Sequence, residues 1–255
     1  MGALNAATAV AAALWLVAGA GAGRAGTIPC WVDHGAVVAA AAFGDIAGDF
    51  IIDLSRPVSA LHVTRANLDG IDAQTATGRL DLAGRRLEAV TWPVVDLDPE
   101  TRAFDTTING IIGWDVLGRY AVTLDLRGGG CRITLSMPRR RGRGLLLTMV
   151  GGAPAVAARI ADSTSARSGL FWIDTGRLAS RIAGAALSRP MPAGGAPGRL
   201  RALSLDGALI EQIPAEPAAG SAAASAIGVG VWQGAWLSID PAARRLRLRV
   251  PARRG

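Results

Sequence analysis

An acid placed directly after an apolar run occurs twice, once in each half of the 255-residue chain. Phe50-Ile51-Ile52 leads into Asp53-Leu54-Ser55, and Leu170-Phe171-Trp172-Ile173 leads into Asp174-Thr175-Gly176. The likeness continues downstream. Ile112-Gly113-Trp114-Asp115-Val116-Leu117 through Val122-Thr123-Leu124-Asp125 aligns without a gap on Ile227-Gly228-Val229-Gly230-Val231-Trp232 through Leu237-Ser238-Ile239-Asp240. Each copy then enters an arginine-bearing strand, Cys131 to Leu135 in the first and Arg245 to Val250 in the second. Sixty residues lead from Asp53 to Gly113 and fifty-four from Asp174 to Gly228, so order and spacing are both kept, as in an internal repeat. A chain of this kind builds two like lobes and brings one acid from each to their interface.

The local patterns point to an all-β fold of two pseudo-twofold-related lobes with a few short helices. Ala36 to Phe43 and Phe50 to Asp53 read as strands joined by a turn at Gly44 to Gly48, which leaves the first acid on a loop leaving a buried strand. Gly78 to Leu82 and Leu87 to Val90 flank a turn at Ala83 to Arg86, and Trp92 to Leu97 reads as a further strand. Pro99 to Asn109 is a polar loop. The second half repeats the plan, with a hairpin of Ala155 to Ile160 and Gly169 to Asp174 around Ser163-Thr164-Ser165. A second hairpin joins Leu200 to Leu205 and Ala208 to Ile213 around Asp206-Gly207. Pro190 to Gly198 and Pro214 to Ser225 are loop-like in composition. Short helices are expected at Trp114 to Tyr120 and Val231 to Trp236. The resulting division is a leader at 1–25, a first lobe at 27–137, an arginine-rich linker at 138–144 and a second lobe at 145–255.

These motifs resemble those of the pepsin-like and retropepsin-like aspartic peptidases, whose lobes each carry apolar-apolar-Asp-Thr/Ser-Gly/Ser and, further on, apolar-apolar-Gly. The stretch from Gly113 to Tyr120 is also similar to the Gly-x-Asp-x-Leu helix of bacterial and retroviral-type members. The resemblance implies Asp53 and Asp174 as the catalytic pair, a polypeptide substrate held between the lobes, and no cofactor. It implies supporting roles for Ser55, Thr175 and Gly176 in the acid loops. Gly113 and Gly228 would thread beside those loops, where a side chain would meet backbone. Two carboxyls in contact cannot both ionise, so they share a proton and one acts as base while the other acts as acid; this is established for the family. The first lobe departs from the pattern. Leu54 stands where a hydroxyl residue is usual, and Arg56 and Arg177 directly follow the triplets; a guanidinium reaching either acid would hold it ionised. The sole tyrosine, Tyr120, lies in the helix segment rather than where a flap tyrosine would stand. The plainer alternative for each acid is a strand-end turn cap or an arginine partner.

Met1 to Ala25 is almost wholly Ala, Gly, Leu and Val around Trp15, without an acid, which suits a cleaved signal peptide or an uncleaved membrane anchor. Export, to the periplasm or beyond, would permit a disulfide between the only two cysteines, Cys30 and Cys131, near the start and end of the first repeat. Two separate buried thiols is the alternative. The net charge of +7 is carried by arginine, since there is no lysine. The clusters at Arg139 to Arg143 and Arg244 to Arg254 lack interleaved aromatics, which speaks against nucleic acid. The second is expected on an edge strand with Leu246, Leu248 and Val250 facing in. His34 and His62 have no metal-site spacing, so no metal is expected. Both acids come from one chain, so no obligate dimer is implied. Besides an exported endopeptidase, two other readings fit: a pseudopeptidase that binds an extended peptide or envelope partner without turnover, and a structural β protein with its two acids far apart.

Overall fold

The computed structural model describes residues 26–139, 142–161, 165–183, 198–218 and 225–250. The leader, part of the linker, the Ser163-Thr164 turn and much of the two loop-like stretches of the second half lie outside the described residues. Three sheets make up the fold. The first-half sheet contains β2 (Ala36–Phe43), β3 (Ile46–Ile52), β4 (Ala60–His62), β5 (Thr75–Leu82), β6 (Arg85–Val95) and β7 (Ile108–Ile112). The second-half sheet contains β11 (Ala153–Ala161), β12 (Ala166–Ile173), β13 (Ser180–Ile182), β14 (Gly198–Leu205), β15 (Ala208–Pro217) and β16 (Ala226–Ile227). Between them, β8 (Ala121–Asp125), β9 (Arg132–Ser136), β17 (Trp236–Asp240) and β18 (Arg245–Arg249) form a common sheet ordered β9–β8–β17–β18. Its central pairing, Val122 to Ile239 through Asp125 to Trp236, joins the two halves.

Each half enters through a strand that belongs to two sheets. β1 (Gly26–Asp33) pairs with β9 over its first four residues and with β2 over its last four. β10 (Leu145–Val150) likewise pairs with β18 and then with β11. β1 changes partner at Cys30, which is bonded to Cys131 and donates its N–H to the Cys131 carbonyl at 3.1 Å. The disulfide therefore ties the start of the first half to its end across 101 residues.

The core follows from the alternation along these strands. Phe50, Ile52 and Leu54 are fully buried at the end of β3, with Phe43 stacked on Trp92 at 4.6 Å and Phe50 edge-on to the same indole. In the common sheet Val122, Leu124, Leu237 and Ile239 point inward without exposure. Two four-residue helices, α3 (Trp114–Leu117) and α4 (Val229–Trp232), follow the two glycines and carry Val116, Leu117, Val231 and Trp232 into the core. Two earlier short helices are α1 (Val63–Leu68) and α2 (Asp98–Thr101).

Several local expectations need correction. Trp92 does not begin a new strand, because β6 runs unbroken to Val95 and its far end pairs in parallel with β4. Ala215 to Pro217, expected in a loop, continue β15 against β13; tertiary pairing there overrides the proline-rich composition. Helix α4 begins at Val229, and Trp236 opens β17 instead of closing the helix. β18 is not an edge strand, since β10 pairs with it through Leu145 and Leu146; of its apolar residues Leu246 is buried, whereas Leu248 is half-buried. Tyr120 packs beneath the Arg85 guanidinium, 5.8 Å from its ring centroid.

Closing a loop of 101 residues removes much chain entropy from the unfolded state. Replacing Cys30 and Cys131 by Ser is expected to lower unfolding free energy by roughly 2–5 kcal/mol, read as a reduced urea midpoint. A midpoint unchanged by the double substitution would contradict the placement of this bridge.

Candidate active site

The two acid loops are built by the same bonds. Asp53 N–H donates to the Ile112 carbonyl at 3.0 Å, and Asp174 N–H to the Ile227 carbonyl at 2.9 Å, so each acid extends a strand paired in parallel with the one before the glycine. The loop carbonyls then receive the start of the following helix. Trp114 N–H donates to Arg56 O and Asp115 N–H to Pro57 O; Val229 N–H donates to Arg177 O and Gly230 N–H to Leu178 O. Six residues after each acid stands a buried serine whose Oγ accepts the glycine N–H: Ser59 from Gly113 at 2.8 Å, and Ser180 from Gly228 at 3.1 Å. Ser59 Oγ in turn donates to Asp115 at 2.6 Å. A Cβ at Gly113 would sit 2.6 Å from the Arg56 carbonyl oxygen, and one at Gly228 the same distance from the Ala179 and Leu178 carbonyls. Backbone cannot yield there, so only glycine fits.

The loops meet through one hydroxyl. Thr175 Oγ1 donates to the Ile52 carbonyl at 2.6 Å and accepts from Leu54 N–H at 3.0 Å, fully buried, while Val37 N–H donates to the Thr175 carbonyl at 2.8 Å. Leu54 makes no reciprocal bond, and its side chain is absorbed by the first-half core.

The carboxyls lie on either side of Gly176. Its N–H donates to Asp174 Oδ1 at 3.0 Å, and a Cβ on it would be 2.8 Å from Asp53 Oδ2. Asp53 Oδ1 accepts from the N–H and Oγ of Ser55 at 2.8 and 2.7 Å. Asp174 is 1% exposed, and its Oδ2 accepts from Arg181 Nη2 at 2.8 Å. Burial pushes Asp53 from its ordinary 3.8 up to about 6, the charge on Asp174 adds to the rise, and the Ser55 bonds oppose it. Burial also raises Asp174, but Arg181, the Gly176 N–H and Arg177 all work against that rise. The two acids thus differ in their bonding, Asp174 accepting from a cation and Asp53 from the neutral donors of Ser55.

Asp53 lines a cleft of about 510 Å³ together with Ser55, Gly176 and Arg181, whereas Asp174, almost fully buried, is not among its lining residues. One wall comes from α2 and the residues after it, through Pro99, Glu100, Ala103 and Phe104. Arg56, which the sequence placed beside the first acid, turns instead to Glu100 at 2.8 Å, and Arg177 stays exposed. α2 is itself moored by His62, whose Nδ1 accepts Thr64 N–H, leaving Nε2 to donate to Asp98 at 3.0 Å. The β5–β6 hairpin turns away from the cleft: its Ala83-Gly84 turn abuts Gly26 on β1, and Arg85 donates to Leu135 O on β9. Among the described residues two groups, Asp33-His34-Asp105 and His62-Asp96-Asp98, hold ligand atoms within 4.8 Å of one another and could take a metal ion. In the second, both His62 nitrogens already have protein partners.

No family model and no curated protein matches the chain. Among solved structures, the aspartic proteinase from Irpex lacteus superposes over 89% of this chain and 97% of its own, with a TM-score of 0.53 at 13% identity. The fold is that of an aspartic proteinase. Sequence reasoning missed Ser59, Ser180 and Arg181. The two serines stand six residues after their acids in both halves, a signal open to view; at the next position alignment of the halves sets Ala60 against Arg181, a mismatch legible in the sequence.

Thr175→Val would leave Leu54 N–H and the Ile52 carbonyl buried without partners, and is expected to destabilise by roughly 1–3 kcal/mol in urea unfolding. The native state binds a proton at Asp53 more tightly than the unfolded chain does. Its contribution to stability is therefore full below about pH 4 and lost as pH rises to about 6. The stability of wild type minus that of Asp53→Asn should fall across that window; a flat difference would refute the assignment.

Proposed function

We propose that this protein is an exported aspartic-type endopeptidase that hydrolyses peptide bonds in the cleft between its lobes. The observation that carries the reading is the pair of carboxyls flanking Gly176, presented by two like loops that the Thr175 hydroxyl locks together. In the proposed cycle Asp174, ionised, accepts a proton from a water as its oxygen attacks the peptide carbonyl carbon. Asp53 gives its proton to the carbonyl oxygen, which forms a gem-diol. On collapse the proton on Asp174 passes to the leaving nitrogen, a diol hydroxyl returns its proton to Asp53, and the C–N bond breaks. The dyad ends as it began. Gly113 and Gly228 would serve by letting the helix starts pack on the acid loops, and Ser55, Thr175 and Gly176 by fixing the carboxyls.

Export is supported by the apolar leader and by the Cys30–Cys131 bridge, which persists in oxidising compartments. Retention of the leader would attach the enzyme to a membrane. Both acids come from one chain, so the cycle calls for no dimer, cofactor or metal, and the substrate is polypeptide rather than nucleic acid.

Two observations favour a second reading, a pseudopeptidase that binds an extended peptide or envelope partner: Leu54 leaves the interlobe lock one-sided, and Arg181 occupies a lone pair of Asp174. Denatured protein or a peptide library separates the two. An active enzyme should cleave with pepstatin sensitivity, lose activity as pH rises through about 6 when Asp53 gives up its proton, and lose at least ~100-fold in kcat with either Asp53→Asn or Asp174→Asn. Full turnover by Asp174→Asn would discard the mechanism. A partner captured equally by wild type and the double variant, without cleavage, would establish the pseudopeptidase.

A further inference from the structure

Arg181 breaks the symmetry of the dyad. The acid loops share their backbone bonds and the serines six residues after each acid, yet the next residue is Ala60 in one half and Arg181 in the other. β13 carries Arg181 beside Ala226 of β16 and Glu216 of β15, and its guanidinium reaches Asp174 Oδ2 at 2.8 Å. Among the described residues Asp174 is its sole ion-pair partner; Glu216, in register beside it, makes none. Its Nε is buried without an acceptor. An unpaired buried donor is destabilising, and Ala60 shows that the matching backbone position needs no arginine. The contact with Asp174 is what the side chain is for.

We infer that Arg181 is a positioning residue that keeps Asp174 the ionised member of the resting dyad and leaves the resting proton on Asp53. The inference rests on the peptidase reading for its catalytic meaning but concerns the acids whether or not they turn over substrate. In a symmetric pair either carboxyl can hold the shared proton, and which one does so is decided by small differences. Here the donors differ in charge. Asp53 is bonded only by the neutral donors of Ser55, whereas Asp174 is bonded by a cation, and charge-assisted bonds are about twice as strong as neutral ones. The other charges near the pair do not reverse this. Arg177, on the same loop, adds to the stabilisation of ionised Asp174; Arg56 is engaged by Glu100; His34 lies at the cleft rim between Asp33 and Asp105, 3.7 and 3.9 Å away. Glu216, which lines the cleft in register beside Arg181, makes no ion pair with it.

The test follows the two carboxyls by ¹³C NMR of aspartate-labelled protein, with Asp53 and Asp174 assigned through their Asn variants. In wild type, Asp53 should titrate in the mildly acidic range while Asp174 stays ionised to lower pH. Arg181→Met should raise the Asp174 midpoint by about 1–3 units and make the two acids titrate as a coupled pair, whereas Arg181→Lys should stay near wild type. If the protein cleaves peptides, the acid limb of its kcat/KM profile should move up by a similar amount in Arg181→Met and return in Arg181→Lys. A merely structural arginine would lower stability and leave these midpoints in place. An unmoved Asp174 titration in folded Arg181→Met overturns the inference; should that variant not fold, a wild-type spectrum in which Asp174 titrates above Asp53 overturns it equally. The predicted titrations without any peptide cleavage would discard the peptidase reading and keep the polarised pair.

Discussion

One hydroxyl holds the architecture to its purpose. Thr175 Oγ1 bonds to both sides of Leu54's peptide neighbourhood, the Ile52 carbonyl and the Leu54 N–H, and so fastens the acid loop of one half to that of the other in a water-free setting. Everything at the cleft floor depends on that register. With it in place Gly176 lies against Asp53 while capping Asp174, and the helices α3 and α4 close on the loops through glycines that no other residue could replace. The common sheet and the split strands β1 and β10 set the lobes in place; the hydroxyl decides the last few ångströms. Because Leu54 returns nothing, the lock relies on one side chain where two would share the load.

Twofold likeness of backbone coexists with strong electrostatic asymmetry. The first-half acid is hydrogen-bonded by neutral donors and feels Arg181 only as a more distant charge, the second-half acid is hydrogen-bonded by that cation, and burial makes the difference count. Partial charges act at closer to full strength where water is scarce, so one arginine outweighs the geometric equivalence of two loops. A fold that looks like a symmetric clamp thereby presents two carboxyls in unlike surroundings.

Much of this was legible along the chain. The ends of β2 coincide with the apolar stretch Ala36 to Phe43, and the gapless alignment of Ile112 with Ile227 maps α3 onto α4 and β8 onto β17 residue for residue. Both signals are local: alternation, glycine and a short helical turn are written within a few residues. Trp92 was misread as a strand start because Thr91 and Trp92 resemble the beginning of a β run, whereas pairing of the whole segment with β5 makes one strand of it. Ala215 to Pro217 were misread because proline is tolerated where the partner does not need its N–H, and only the neighbouring β13 shows that. β1 was not foreseen as a strand shared by two sheets, since its partners lie far along the chain.

The sequence alone determined that two like β lobes would form and that each would offer an acid at the end of a buried strand, because apolar periodicity and the residue next in line are properties of adjacent positions. Only the tertiary structure decided which cation meets which acid. Arg56 and Arg177 are the neighbours in sequence, but one turns to Glu100 and the other to solvent, while Arg181 reaches Asp174 because β13 folds back beside β15 and β16. Charges act through space, and distance along a chain does not fix distance between side chains.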